Sequence, residues 1–256
     1  MFTKAIVRTP CRNMVKGITT SAYLGTPDYE KALDQHKAYI RTLESLGLDV
    51  TILPANEAFP DSCFVEDPAV VTKECAVITN PKESSRNGEK EEILPAISMF
   101  YSQDQIFHIK APGTFEGGDV MKAGDTFFVG QSARTNDEGI AQFASIMAAF
   151  GYKTVAVPLK LVLHLKTGAD YMENDTMLLC GEFIDRPEFK DYRKIVVSEE
   201  EAYATNSLWI NGKVIVPEGF PMTREALEKA GYETVAADTS EFRKIDGGLS
   251  CLSLRF

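Results

Sequence analysis

The sequence predicts an α/β protein in which a strand-strand-helix-strand unit repeats around one axis, and three observations support that reading. The fragment Gly151-Tyr152-Lys153-Thr154-Val155-Ala156 recurs as Gly231-Tyr232-Glu233-Thr234-Val235-Ala236, with a looser copy at Gly47-Leu48-Asp49-Val50-Thr51-Ile52. Each copy follows an amphipathic stretch. Pairs of apolar, strand-like segments stand upstream of the helical ones, at residues 68–79, 119–130, 175–184 and 207–217. The chain also begins and ends on a strand, residues 5–8 and 250–256, each without a local partner. Spacings of roughly forty to fifty-five residues leave room for five units, the fifth shared between the termini. Pairing the first strand with the last closes a ring and anchors both ends.

The first strand leads to a helix expected to start with Thr26 as N-cap and Pro27 at its first position. Tyr29, Ala32, Leu33, His36, Ile40 and Leu43 recur at helical spacing, and Gly47 supplies the C-terminal cap. In the second unit the polar run 80–92 reads as a surface loop leading into a helix near residues 86–101, which Pro95 should kink. In the third, Ala123-Gly124-Asp125 predicts a hairpin turn, and residues 135–150 a helix built on Ile140, Phe143, Ala144 and Met147. Asn211-Gly212 predicts another hairpin, and residues 223–230 the last helix. No Pro/Ser-rich or low-complexity linker divides the 256 residues, so one catalytic domain, 1–256, is expected.

Composition narrows the function. A net charge of −10 repels phosphate backbones and favours small cations, so nucleic acid is not an expected partner. No uncharged apolar stretch approaches membrane-spanning length, and residues 1–10 are too short an apolar run for a secretory signal. The five cysteines, Cys11, Cys63, Cys75, Cys180 and Cys251, are odd in number and include no Cys-x-x-Cys pair. That argues against a disulfide framework and against a zinc site, and a cytoplasmic protein is expected. The oligomeric state is left open, with a homodimer compatible.

A closed ring of repeats places equivalent strand starts around one axis. Those starts read Glu66-Asp67, Glu116-Gly117-Gly118-Asp119, Glu173-Asn174-Asp175, Asn206 and Asp246-Gly247-Gly248. Asp, Asn and Gly are ordinary turn residues before strands. Several carboxylates around one axis nevertheless repel, and require a cation among them or shifted pKa values. Of the three histidines, His36 falls on the apolar face of the first helix and His108 alternates within a return strand. His164 stands just before a strand pair, where the chain enters the axis. Cys63, Cys75 and Cys180 lie in or beside apolar runs and read as small core residues, and Cys11 reads as a loop residue. Cys251 alone follows a glycine pair at the axis, as a nucleophile or as core filling.

These residues also carry a family resemblance. The segments Phe64-Val65-Glu66-Asp67-Pro68, Gly113-Thr114-Phe115-Glu116-Gly117-Gly118-Asp119, Ser132-Ala133-Arg134-Thr135-Asn136, Leu163-His164-Leu165-Lys166-Thr167-Gly168 and Lys244-Ile245-Asp246-Gly247-Gly248-Leu249-Ser250-Cys251 resemble motifs of the dimethylarginine dimethylaminohydrolase family, compact bacterial type, in order and over essentially the whole chain. That family belongs to the guanidino-group-modifying superfamily, whose fold is a five-bladed, pseudo-symmetric α/β propeller. The resemblance implies a dimethylargininase, a hydrolase that converts Nω,Nω-dimethyl-L-arginine and Nω-monomethyl-L-arginine to L-citrulline plus dimethylamine or methylamine. It implies a covalent thiouronium on cysteine and no metal or other cofactor. Cys251 would be the nucleophile, His164 the general acid and then base, and Glu116 the residue orienting His164. Asp67 and Glu66 would hold the guanidinium, Arg86 and Arg134 would clamp the substrate carboxylate, and Asp61 would take the amino group. Backbone near Ile18 and Ile245 would complete the pocket, with Ile18 in a loop, 15–23, where the family often has leucine.

The chemistry agrees with those roles. A guanidinium is a planar, delocalised cation and a poor electrophile, so it needs carboxylates to bind it and a thiolate to attack it. The departing amine must be protonated to leave. The same carboxylates disfavour a thiolate, so the free protein should hold Cys251 mostly as the thiol until a guanidinium arrives. The nearest alternatives are sister activities on the same fold, but arginine deiminases and amidino-group transferases are typically longer. A non-catalytic propeller, such as a ribosomal anti-association factor, has no use for Cys251, His164 and Glu116 together. A papain-like hydrolase is disfavoured because its cysteine precedes its histidine.

Overall fold

Each repeat read from the sequence folds as a short antiparallel hairpin with a third strand returning parallel beside it; the computed structural model describes residues 1–256. At the start of the chain, β1 (Lys4–Arg8) pairs in parallel with β2 (Asp49–Leu53). The second sheet holds β3 (Ala69–Val71), β4 (Ala76–Ile78) and β5 (Ile106–His108). The third holds β6 (Val120–Ala123), β7 (Thr126–Gln131) and β8 (Lys153–Pro158). The fourth holds β9 (Ala169–Tyr171), β10 (Thr176–Leu179) and β11 (Arg193–Val196). The fifth holds β12 (Leu208–Ile210), β13 (Lys213–Pro217) and β14 (Glu233–Ala237). In these four sheets the first two strands are antiparallel and the last two parallel.

The sheet begun by β1 lacks only its antiparallel member, and β15 (Leu254–Arg255) supplies it, with Ala5 opposite Arg255 and Ile6 opposite Leu254. Thr3 and Lys4 also donate their N–H groups to the Phe256 carbonyl, at 2.9 and 2.8 Å. The two strands without local partners thus find each other, and the five three-stranded sheets form a five-fold pseudo-symmetric α/β propeller. Five buried apolar clusters hold it together, each drawn from two neighbouring sheets. Between the second and third sheets, for instance, Phe143 stacks on Phe115 at 4.9 Å and meets Phe127 edge-on at 5.3 Å.

The helices lie on the connections: α1 (Tyr29–Ser45), α2 (Ser84–Asn87), α3 (Glu89–Ile97), α4 (Asp137–Ala148) and α5 (Pro221–Lys229), with a single turn, α6 (Ser240–Arg243), after β14. α1 begins later than Thr26-Pro27 suggested, because Asp28 is the cap and its carboxylate accepts the Lys31 N–H at 3.1 Å. Gly47 takes φ of 91° beyond the helix end, as a C-terminal cap requires. The helix expected over 86–101 is broken at Gly88 rather than at Pro95, which sits inside α3. A Cβ at position 88 would lie 2.6 Å from the Phe59 ring. Both predicted hairpins form, with Gly124 at φ 56° and Asn211-Gly212 at 47° and 98°.

Two expectations fail in the fourth sheet. The connection from β10 to β11 carries only 3-10 turns, at Gly181–Phe183 and Pro187–Phe189, so this unit has no α-helix. Glu173-Asn174-Asp175, expected at a strand start on the axis, is instead the hairpin turn between β9 and β10, with φ of 63°, 50° and 54°. These residues tolerate left-handed backbone, which is why they stand there. Cys11 lies in a loop as expected, but its side chain is buried in the cluster that contains Met14 and Phe64.

Deleting residues 254–256 should abolish the cooperative thermal transition measured by circular dichroism, because it removes β15 and the Phe256 ring that packs on Phe100 and Tyr101 at 5.1 and 5.5 Å. Phe256→Ala, which leaves the β1–β15 ladder in place, should only lower the midpoint. A truncated chain that melts like the full one would show ring closure to be dispensable.

Candidate active site

The turns that enter the inner strands meet at one end of the axis, and glycines allow their backbones to touch. A Cβ at Gly117 would lie 2.0 Å from the Glu66 carbonyl oxygen, and one at Gly118 would lie 2.7 Å from His164 Nδ1 and 2.8 Å from Asp67 Oδ1. At the C-terminal turn, Gly247 packs on the Phe64 ring and Gly248 on Asn206, with room for no side chain at either. Cys251 then sits in a 3-10 turn, Ser250–Leu252, rather than on the terminal strand expected over 250–256. Hydrogen bonds hold that turn: Ser250 N–H donates to Asn206 Oδ1 at 2.9 Å, and Ser250 Oγ donates to Glu66 Oε2 at 2.8 Å.

The half-buried Cys251 lines a cavity of about 40 Å³ with His164, Glu116, Asp67, Asp61, Arg86, Arg134, Ile18 and Ile245. Of the residues nominated from the sequence, only Glu66 is absent from that wall. Phe64, Leu163, Asp246 and Gly247 complete it. Phe64 and Leu163 carry no polar signal by which the sequence could single them out.

His164 precedes the turn Leu165–Thr167, and its Nε2 lies 2.8 Å from Glu116 Oε2. Burial alone would lower its pKa, but the Asp119, Glu116 and Asp67 carboxylates outweigh burial and push it up to about 9. His164 is therefore an imidazolium at neutral pH. Glu116 is fully buried, and its second oxygen, Oε1, has no hydrogen-bond partner. Arg134 Nη1 lies 3.7 Å from it, beyond hydrogen-bond reach. An orphaned buried acceptor is costly, so this oxygen is poised for a donor from a ligand.

Asp67 accepts from Arg86 Nη1 at 2.6 Å and from Gly118 N–H at 3.0 Å. Burial opposes its ionised form, but Arg86 and His164 hold its carboxyl below the usual range. Arg86, read as a carboxylate clamp, is itself buried and occupied: its Nε and Nη2 donate to Glu89 at 3.0 and 2.7 Å. Arg134 differs, because its guanidinium makes only long ion pairs, to Glu83 at 3.3 Å and to Glu116. Asp61 accepts the Ile18 N–H at 3.1 Å, and burial raises its carboxyl pKa. Gly17 makes that approach possible, since a Cβ there would lie 2.6 Å from Asp61 Oδ1. The following residues strap the loop down, with Thr19 Oγ1 donating to the Lys244 carbonyl at 2.8 Å and Thr20 Oγ1 to Asp246 Oδ2 at 2.9 Å.

Glu66 lies off that wall but lines a neighbouring cavity of about 50 Å³ that it shares with Cys251 and His164. It pairs with Lys166 at 2.6 Å and Arg255 at 3.0 Å, and it also borders an axial cavity of about 160 Å³ behind the cysteine turn. Lys166, Arg255 and Ser250 occupy its two oxygens, and the Ser250 bond ties it to the turn that bears Cys251. Asp67, Glu116 and His164 place ligand atoms within 4.8 Å of one another, but a metal ion there would have to displace the Arg86 and imidazole contacts. Of the other histidines, His108 is exposed, and His36 is a core residue whose Nε2 has no partner and whose pKa burial lowers to about 4.

A family model described as N,N dimethylarginine dimethylhydrolase, eukaryotic, matches residues 26–217. The N(G),N(G)-dimethylarginine dimethylaminohydrolase of Pseudomonas aeruginosa is 51% identical over 256 residues, covering 100% of both chains. A solved structure of that Pseudomonas enzyme, a cysteine-to-serine mutant complexed with citrulline, superposes with a TM-score of 0.98 at 51% identity over 100% of each chain. A dimethylarginine dimethylaminohydrolase with a histidine-to-glycine change, solved as an adduct with S-methyl-L-thiocitrulline, gives 0.97 at 51% identity, again over 100% of each chain.

Burial, together with Glu66 and Asp67, pushes the Cys251 thiol up to about 12, and the Gly248 N–H and Lys166 offset only part of this. The free thiol should thus stay protonated through neutral pH, and a bound cation should lower its pKa by supplying the missing positive charge. Thiolate absorbance titrated with and without a guanidinium-bearing substrate mimic tests this. The expected result is a clear downward shift with the mimic, and superimposable curves would refute it.

Proposed function

The chain belongs to the dimethylarginine dimethylaminohydrolase family, and from that footing we propose that it hydrolyses Nω,Nω-dimethyl-L-arginine and Nω-monomethyl-L-arginine to L-citrulline, releasing dimethylamine or methylamine. The observation behind this reading is the meeting, in one cavity, of a thiol, a charged His164–Glu116 pair, an orphaned carboxylate oxygen and an arginine with spare donors. Every proposed residue comes from one chain, residues 1–256, which we take as a single catalytic domain. The five cysteines are all free, as a reducing cytoplasmic location requires. No helix is long and apolar enough to cross a membrane.

In this reading the substrate guanidinium docks between Asp67 and Glu116, giving Glu116 Oε1 the N–H it lacks. Its charge lowers the Cys251 pKa, and because His164 already holds a proton, the thiol proton passes to solvent. The thiolate adds to the central guanidinium carbon, and His164 donates its proton to the methylated nitrogen as the carbon–nitrogen bond breaks. A thiouronium remains on Cys251. The neutral His164 then takes a proton from water as its oxygen adds to that carbon. Collapse expels the thiolate and leaves the ureido group of citrulline, with the remaining hydroxyl proton passing to solvent.

Farther along the substrate, Arg134 clamps the carboxylate, while Asp61 and the backbone near Ile18 and Ile245 receive the ammonium group. Arg86 acts mainly by holding Asp67, and Glu66 by holding the Cys251 turn.

Incubating the protein with dimethylarginine, monomethylarginine and arginine, and quantifying citrulline and each amine, tests the assignment. Citrulline with dimethylamine or methylamine is expected, and Cys251→Ser should lose at least about 10³-fold in kcat. Citrulline and ammonia from arginine alone would overturn the substrate class. Arg134→Lys replaces a forked donor by a point charge, so KM should rise about tenfold with kcat kept within about twofold. A fall confined to kcat would give Arg134 a different role.

A further inference from the structure

One buried carboxylate touches the supports of both halves of the site without lining the cavity. Asp119 is fully buried at the end of the turn that carries Glu116. Its Oδ1 accepts the N–H of Leu165, the residue after His164, at 3.0 Å. Its Oδ2 accepts the hydroxyl of Ser132 at 2.7 Å. Ser132 Oγ in turn accepts the backbone N–H groups of Arg134 and Thr135, at 3.0 and 3.1 Å. Thr135 Oγ1 accepts the N–H of Glu116 at 3.1 Å, which closes a loop of contacts back to the turn where Asp119 lies.

The surroundings are shaped for this carboxylate. A Cβ at Gly130 would lie 2.6 Å from Asp119 Oδ1, so glycine is what lets β7 pass it. Neither hydrogen-bond partner is a cation, so the buried charge is held by an N–H and a hydroxyl, with His164 the cation it influences.

We propose that Asp119 is a positioning residue that ties the backbone carrying His164 to the turn carrying Arg134, so that one carboxylate sets both the acid–base group and the substrate clamp. The roles of His164 and Arg134 rest on the functional reading above; the linkage between their backbones does not. His164 faces Glu116 and Asp119 from the turn before β6, Glu66 and Asp67 from the turn before β3, Asp61 from the segment before that turn, Lys166 from its own turn, Cys251 and Asp246 from the C-terminal turn, and Arg86 and Arg134 from the cavity wall. Among these acids Asp119 is the one held wholly by internal donors and clear of both cavities that Cys251 lines.

Two substitutions separate the arms. Asp119→Asn keeps the shape and an acceptor for Leu165 but removes the charge, so the NMR titration of the His164 imidazole should move to lower pH by about one unit or more. Ser132→Ala removes the hydroxyl that joins Asp119 to the Arg134 and Thr135 N–H groups but keeps the Asp119 charge and its Leu165 bond, so KM for dimethylarginine should rise about tenfold with kcat within about twofold and the His164 titration should move far less than in Asp119→Asn. Ser132→Thr, which keeps the hydroxyl, should restore KM. An unshifted His164 titration in Asp119→Asn, or an unchanged KM in Ser132→Ala, would overturn the proposal, including where melting temperatures fall. The NMR arm needs no turnover, so a wild-type protein inactive on methylated arginines would end the functional reading while leaving the Asp119–His164 linkage readable.

Discussion

The structure depends on closing a circle. A three-stranded sheet with strands of two to six residues is marginal on its own, and here each sheet is stable because its faces are covered by its neighbours. The five apolar clusters are shared pairwise between adjacent sheets, so an open ring would leave two of them half built. The closing contact is small, two paired residues plus the Phe256 carbonyl, and it does two things at once. It completes the sheet that β1 began, and it holds the turn with Cys251 against the entry turns of the second and fifth sheets.

Around that closed axis the governing quantity is charge. Glu66, Asp67, Glu116 and Asp119 are buried within a few side chains of one another, a grouping that would be untenable if each were uncompensated. Each is answered differently. Glu66 has Lys166 and Arg255, Asp67 has Arg86, and Asp119 has an N–H and a hydroxyl. Glu116 has the imidazolium on one oxygen and no hydrogen bond on the other. The unmet demand for positive charge therefore lies at Glu116 Oε1 and at the cysteine, whose pKa the same carboxylates raise. A guanidinium is the complement of both deficits, so in the proposed reaction the group to be attacked would also generate the nucleophile.

The repeat, the ring and the gathering of acidic turns were legible in the sequence, because periodic glycines, hairpin turns and apolar alternation are local signals. Cys251, His164 and Glu116 were legible through their motifs, and the cavity brings them together. What the sequence did not reveal is the direction in which a charged side chain points. Glu66 and Asp67 are adjacent in the turn before β3, where no strand or helix period assigns a side chain to one face. Only the distant Lys166, Arg255 and Ser250 decide which of the pair faces the cavity. The contacts of Arg86 were likewise not legible: it lines the cavity, but its partner Glu89, three residues on, and Asp67 take up its donors. The missing helix of the fourth unit and the burial of Cys11 likewise follow from packing.

Glycine pairs link the fold to the chemistry. Gly117-Gly118 and Gly247-Gly248 precede equivalent inner strands, and each pair presses backbone against an adjacent entry turn, on Glu66 and Asp67 in one case and on Phe64 and Asn206 in the other. Functional groups placed on turns packed at this distance have little freedom to relax around an empty site. Their mutual repulsion is then retained in the free protein rather than relieved by movement, and it is available to favour the cation when it binds. The contrast is the loop beginning at Gly17, which is held by hydroxyl and carboxylate contacts at its edge rather than by buried backbone. Rigidity thus sits where the buried charges are gathered, and lighter contacts hold the loop that brings Ile18 to the cavity wall.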